Sequence, residues 1–134
     1  MTTSSSPGSS GSASAISRSR RKVLLVDDSS EVRAALGAAL QNAGYEVETA
    51  TSGLEALEKL RWGLRPCAIL LDLQMPGMNG WDFRAEQKRN PALQAIPTIA
   101  MTAGHLRKED LDEFFECITK PIDLQALEAM LRRC

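Results

Sequence analysis

The chain has no apolar run longer than the five residues Cys67–Leu71. A membrane-spanning helix needs roughly 20 such residues, so none is expected, and the N-terminal segment lacks the apolar stretch of a secretory signal. Cysteine is scarce and odd in number. Cys67, Cys117 and Cys134 are spaced 50 and 17 apart, which suits neither a disulfide framework nor a zinc ligand set and points to a reducing, cytoplasmic setting. No G-x-x-x-x-G-K-[ST] sequence occurs, so the P-loop cradle for nucleotide phosphates is excluded. Acidic residues are missing from residues 1–22, which hold nine serines and the four bases Arg18, Arg20, Arg21 and Lys22.

That missing acid divides the molecule. The whole chain carries 16 bases and 17 acids for a net charge of −1, but removing the four N-terminal bases leaves twelve against all seventeen acids, a net −5 for the remaining 112 residues. Residues 1–21 are too poor in apolar surface to offset the entropy of ordering and are expected to form a disordered Ser/Gly-rich tail or linker, with one domain over residues 22–134. An acidic domain is a poor partner for nucleic acid, whose binding rests on neutralising phosphates. The run Arg18–Lys22 reads as a solvated flank, and neither nucleic acid nor membrane is an expected partner.

Within the domain, short apolar runs alternate with segments of helical period. Val23–Val26 is a strand buried on both faces and stops at Asp27-Asp28. Ser29 or Ser30 caps a helix carrying Val32, Leu36 and Leu40, which Gly44 ends. Tyr45, Val47 and Thr49 alternate as a strand, and Ser52-Gly53-Leu54-Glu55 has the form of a capping box for the next helix. Cys67–Leu71 is a third strand ending at Asp72, and a loop from Met75 to Gly80 leads to a helix from about Trp81 to Arg89, which Asn90-Pro91 closes. Pro97–Met101 is a fourth strand ending at Thr102, and Lys108 to Phe115 a short charged helix. Cys117–Thr119 is a fifth strand running into Lys120-Pro121, and Asp123 caps the last helix. Five such units predict an α/β fold of three layers: a doubly wound, five-stranded parallel sheet with right-handed crossovers. Its chemistry belongs at the carboxyl ends of the strands.

Those ends bear Asp27, Asp28, Asp72, Thr102 and Lys120, which adjacent parallel strands would gather round one crevice. Like charges about 4 Å apart repel by roughly 4 kcal/mol at an effective dielectric near 20, so three carboxylates there need a divalent cation and Lys120 as compensation. All-oxygen ligation suits Mg²⁺, with Mn²⁺ the alternative. Such a site suits phosphoryl transfer to a carboxylate, with Thr102 and Lys120 supplying a hydrogen bond and a point charge to the transferred oxygens. Singly, Asp27-Asp28 is no more than a helix cap. A dehalogenase-type phosphatase would want an Asp two positions beyond Asp72, where the chain has Gln74. His105 in the loop after Thr102 reads as solvated, Trp81, Phe114 and Phe115 as packing residues, and Cys117 as a small buried hydrophobe.

The segments V-L-L-V-D-D, I-L-L-D-L-Q-M-P-G-M-N-G, I-A-M-T-A and T-K-P-I, over residues 22 to about 133, resemble the receiver domain of two-component response regulators. The resemblance implies a flavodoxin/CheY-like sheet of order 2-1-3-4-5, with Asp72 as phosphoacceptor and Asp27, Asp28, Asp72 and the main-chain carbonyl of Gln74 around the metal. It implies Thr102 as the switch hydroxyl, Lys120 as the phosphate-sensing base, and a Lys120-Pro121 bond of the kind commonly cis in that family. Two departures stand out. Cys117 occupies a position that is usually Tyr or Phe, and Lys120 follows Thr102 by only 18 positions, which predicts a shortened or displaced fourth helix.

The function expected on this basis is that of a phosphorelay receiver, a self-catalysing phosphoacceptor rather than a turnover enzyme. A histidine kinase or histidine phosphotransfer protein would supply the phosphoryl group, and a downstream protein would read the switched surface. The chain would be a stand-alone receiver or one excised from a hybrid histidine kinase. The alternative is a pseudo-receiver that acts unphosphorylated as an interaction module.

Overall fold

The computed structural model describes residues 21–104 and 107–134, and of Asp110 and Leu111 the backbone only. The expected tail, except Arg21, and His105 lie outside the described residues. The strands are β1 Lys22–Val26, β2 Glu46–Ala50, β3 Ala68–Asp72, β4 Thr98–Thr102 and β5 Glu116–Thr119. The helices are α1 Ser30–Asn42, α2 Gly53–Arg61, α3 Gly80–Lys88, the single turn α4 Pro91–Gln94, α5 Lys108–Leu111 and α6 Leu124–Leu131. All strand pairs are parallel, in the order β2-β1-β3-β4-β5.

Side chains alternate across a strand, and here the alternation divides the core in two. Leu24, Val26, Ile69, Leu71 and Ala100 join Leu57 and Leu60 of α2 and Phe83 of α3 on one face of the sheet. Val23, Leu25, Leu70, Ile99 and Met101 join Leu36 and Leu40 of α1 and Leu127 and Leu131 of α6 on the other. The three inner strands are therefore apolar on both sides, which explains why they read as continuous runs rather than alternating ones. The edge strands β2 and β5 are only partly buried.

The helices begin where the capping residues fall. Ser29 accepts from the Val32 N–H and Asp123 from those of Gln125 and Ala126. Ser52 Oγ accepts from Glu55 N–H at 3.1 Å, but the expected reciprocal bond of a capping box goes elsewhere: the Glu55 carboxylate takes the N–H and hydroxyl of Thr51, at 2.7 and 2.8 Å. These bonds hold the Glu55 carboxyl below its ordinary pKa, the Thr51 N–H contributing most. Asn90 does more than end a helix, since its side chain caps α4, whose Leu93 is buried, with Pro91 at the first helical position.

One helix is shorter than expected. The segment predicted to be helical from Lys108 to Phe115 is helical only to Leu111, because Phe115 N–H is drawn to Thr98 O at 2.9 Å and opens the β4–β5 ladder. Phe114 is buried in the first core cluster, and Phe115 is 42% exposed with the Arg133 guanidinium 5.8 Å from its ring centre. The helix between β4 and β5 is thus the shortened one that the 18-residue spacing implied.

The loop after β3 is pressed hard against α3. A Cβ on Gly80 would lie 2.8 Å from Leu73 Cα and would also collide with its Cδ2. Gly80→Ala is expected to lower stability by about 1–3 kcal/mol, the cost of overpacking against backbone. Trp62→Phe, at a side chain 89% exposed, should stay within about 0.5 kcal/mol of wild type. Urea denaturation midpoints of the two variants test both values.

Candidate phosphoryl-transfer site

Asp27 follows directly on β1, and its N–H continues the ladder to Ala50 O at 3.2 Å. Its side chain is fully buried with both oxygens occupied. Oδ1 accepts from Ser29 N–H at 2.9 Å, a local turn that sets up the start of α1, and Oδ2 accepts from Lys120 Nζ at 3.0 Å. The Asp27 carbonyl accepts from the Arg33 guanidinium at 2.7 Å. Asp28, one residue on, is exposed.

Asp72 ends β3, beside β1 in the sheet, and is only 4% exposed. Its Oδ1 accepts from Gln74 N–H at 3.1 Å, and its Oδ2 lies 3.6 Å from Lys120 Nζ. One oxygen from each of Asp27, Asp28 and Asp72 lies within 4.8 Å of the others. Lys120 is brought to them from the far end of the chain by β5, its N–H bonded to Thr102 O at 2.8 Å, with a cis bond to Pro121 following. Thr102 ends β4 fully buried; its hydroxyl accepts from Gly104 N–H at 3.0 Å and donates to Gln74 Oε1 at 3.5 Å.

The electrostatics follow from this packing. Burial raises the pKa of the Asp72 carboxyl, and the Asp27 and Asp28 charges push the same way, against the Gln74 N–H and Lys120. Burial acts to lower the pKa of the Lys120 ammonium, but the hydrogen bond and charge of Asp27, with Asp72, outweigh it and leave it raised. One ammonium thus serves two carboxylates, and a third stands unpaired by it. The donor set is entirely oxygen, at a spacing one cation can span, which fits a hard octahedral ion such as Mg²⁺ and offers none of the nitrogen or sulfur that zinc prefers.

All five residues expected at the strand ends therefore converge here. Two features went unread in the sequence: the Gln74 side-chain amide, which reaches Thr102, and the Arg33 clamp on the Asp27 carbonyl. The Gln74 contact has no local signal, since it depends on β3 and β4 being neighbours. Arg33, six positions after Asp27, is the kind of cation that could have been suspected from the start of an amphipathic helix beside an acidic turn. Cys117 sits half-buried opposite Ala100 in the β4–β5 register, and Trp81 packs half-buried against the first core cluster, as expected for a packing residue.

Residues 23–132 match the family model described as "Response regulator receiver domain". Among curated proteins, the chain is 35% identical over 123 residues to the transcriptional regulatory protein CpxR homolog of Haemophilus influenzae, covering 84% of this chain and 51% of that protein. The chain thus spans about half the length of that relative. Among solved structures, the chemotaxis protein CheY4 of Vibrio cholerae aligns with a TM-score of 0.78 at 33% identity, covering 86% of this chain and 98% of that one. The receiver domain of sensor histidine kinase PA1611 from Pseudomonas aeruginosa, solved with a magnesium ion coordinated in its active-site cleft, aligns with a TM-score of 0.75 at 26% identity, covering 86% and 97%.

A raised carboxyl pKa means that the folded chain binds more protons than the unfolded one as Asp72 titrates, so stability falls as pH rises from the unfolded carboxylate range through the folded pKa. Asp72→Asn removes that penalty. Without divalent cation it is expected to stabilise the protein at neutral pH, by about 1.4 kcal/mol for each unit by which folding raises the carboxyl. The gain should fall away through the unfolded carboxylate range and vanish below about pH 3, where the carboxyl is protonated in both states. Denaturation midpoints of both proteins in chelator, at neutral and acid pH, measure the difference.

Proposed function

The chain belongs to the response regulator receiver domain family, and we propose that its Asp72 accepts a phosphoryl group from the phosphohistidine of a kinase or phosphotransfer partner. The observation that carries this reading is the position of Asp72: a nearly buried carboxylate at a strand end, with Asp27 and Asp28 oxygens within 4.8 Å and Lys120 Nζ at 3.6 Å. Asp72 Oδ1 is engaged by the Gln74 N–H, so Oδ2, on the Lys120 side, is the nucleophile. A bond forms between Oδ2 and phosphorus as the phosphorus–nitrogen bond to the donor imidazole breaks, and the imidazole nitrogen takes its proton from solvent.

The nucleophile is used ionised, so no general base is required. Lys120, already shared between Asp27 and Asp72, needs only a small displacement to pair with a phosphoryl oxygen. Thr102 hydroxyl, held at 3.5 Å by Gln74 Oε1, exchanges that weak bond for one to a second oxygen. Asp27, Asp28, Asp72 and the main-chain carbonyl of Gln74 would hold Mg²⁺ or Mn²⁺, which when bound would supply the charge neutralisation for a carboxylate and a phosphate to approach. The magnesium recorded in the PA1611 receiver supports this assignment. The aspartyl phosphate then biases a surface that a downstream protein reads.

A second reading, an unphosphorylated interaction module, draws on Cys117 in place of the usual aromatic and on the four-residue α5. One experiment separates the two. With Mg²⁺ and acetyl phosphate, intact mass should rise by one phosphoryl group, and the rise should be absent in Asp72→Asn and in chelator. Thr102→Val should acquire the group about tenfold more slowly, the worth of one hydrogen bond in the transition state. An unchanged wild-type mass, under conditions that load a control receiver, establishes the second reading instead.

A further inference from the structure

The three cysteines take no part in the site, and the fold sorts them by side of the sheet. Cys117 packs against the cluster of Leu24, Ile69 and Phe83, whereas Cys67 and Cys134 both pack against the opposite cluster of Leu25, Leu70 and Leu131. The backbone of the sheet therefore lies between Cys117 and the other two. Of the pairings the cysteines allow, only Cys67 with Cys134 keeps to one side. Both are half-buried thiols in this structure.

Arg21 joins the two. Its backbone is fixed at the amino-terminal edge of the sheet, where Arg21 O accepts from Glu46 N–H at 2.8 Å and the carbonyl of the next residue, Lys22, accepts from Cys67 N–H at 2.8 Å. The Arg21 guanidinium reaches the end of α6, donating to Leu131 O at 3.3 Å and to Cys134 O, and it also bonds the Cys67 sulfur. One guanidinium thus touches both cysteines, which are 67 positions apart in the chain. They are near enough that a charge on Cys67 opposes ionisation of Cys134. Cys134 Sγ donates to Met130 O at 3.5 Å, and a thiol is a weak donor that gives up such a bond easily.

We propose that Cys67 and Cys134 form a redox pair, which a hydroperoxide converts to an intramolecular disulfide that staples the end of α6 to the start of β3. The thiolate of one attacks the peroxide: a sulfur–oxygen bond forms, the oxygen–oxygen bond breaks, and the departing oxygen takes a proton and leaves, giving a sulfenic acid. The second thiol attacks that sulfur, the sulfur–sulfur bond forms, and the sulfenic oxygen leaves as water. The two thiols are oxidised and the peroxide is reduced, with no further reactant. Burial raises both thiols above their ordinary pKa, against the Arg21 charge, so both rest protonated and react slowly. That suits a staple set by sustained oxidation rather than a rapid peroxidase. The whole of β3, Ala68–Asp72, separates Cys67 from the phosphoacceptor, so the pair does not depend on the phosphoacceptor reading.

The reduced wild-type protein is incubated with excess hydrogen peroxide, quenched with catalase, alkylated with N-ethylmaleimide in denaturant, and its intact mass measured without reductant. The expected species is a monomer lighter by two hydrogens and alkylated once, at Cys117, from which peptide mapping recovers Cys67 linked to Cys134. Cys117→Ser should keep the link and lose the alkylation, while Cys67→Ser and Cys134→Ser should each lose the link. The linked protein should melt roughly 10 °C above the reduced one, because the cross-link restricts the unfolded chain, and dithiothreitol should abolish the difference. Alkylation at all three cysteines, or a link that includes Cys117, overturns the proposal. Oxygen added to Cys67 or Cys134 in place of the link, or a covalent dimer in place of the monomer, overturns it equally. A linked protein with an unchanged melting temperature overturns the role of the bond as a staple.

Discussion

Repulsion among Asp27, Asp28 and Asp72 is the constraint round which the rest of the molecule is arranged. Two of these carboxylates are almost completely buried, and a buried ionic group is costly unless it is paired and hydrogen-bonded. The fold meets that cost with backbone N–H groups on one oxygen of each, from Ser29 and Gln74, and with a single ammonium on the other. The compensation is incomplete, as the raised Asp72 carboxyl shows. An incompletely compensated all-oxygen cluster is suited to a divalent cation, and the residual repulsion is the physical basis of the proposed chemistry.

Holding such a cluster requires a scaffold that does not relax. The two core faces, divided by strand alternation, clamp the sheet from both sides with α2 and α3 on one and α1 and α6 on the other. Interiors packed this way are bistable rather than soft. The region between β4 and β5 is built differently. Its helix has four residues, and side chains of α3 rather than a further helical turn fasten its end. The rigid part of the structure therefore carries the carboxylates, and the lightly fastened part adjoins Thr102 and Lys120.

Much of this was legible along the chain because its causes are local. The apolar runs into Asp27, Asp72 and Thr102 announced strands buried on both faces, and Ser29, Ser52 and Asp123 announced helix starts through capping that needs only three or four neighbouring residues. Elsewhere local signals competed with distant ones. Phe114 and Phe115 carry a helical spacing with Leu111, yet the β4 backbone claims Phe115 N–H. Glu55 had the right offset for Ser52, yet bonds Thr51 instead. Asn90-Pro91 was read as a stop although the same pair starts a helical turn.

By itself the sequence determined which residues stand at strand ends and helix starts, since period, capping and chain-breaking act over a few residues. It did not determine which strand ends meet. Asp27 and Asp72 are 45 positions apart and Lys120 a further 48, and they come together only because crossovers place β1 between β2 and β3 and carry β5 to the far edge beside β4. Lys120's closer approach to Asp27 than to Asp72 and the reach of Gln74 to Thr102 were likewise decided in three dimensions. The reason is physical: hydrogen-bond partners and carboxylate spacings depend on distances through space, which a one-dimensional pattern does not contain.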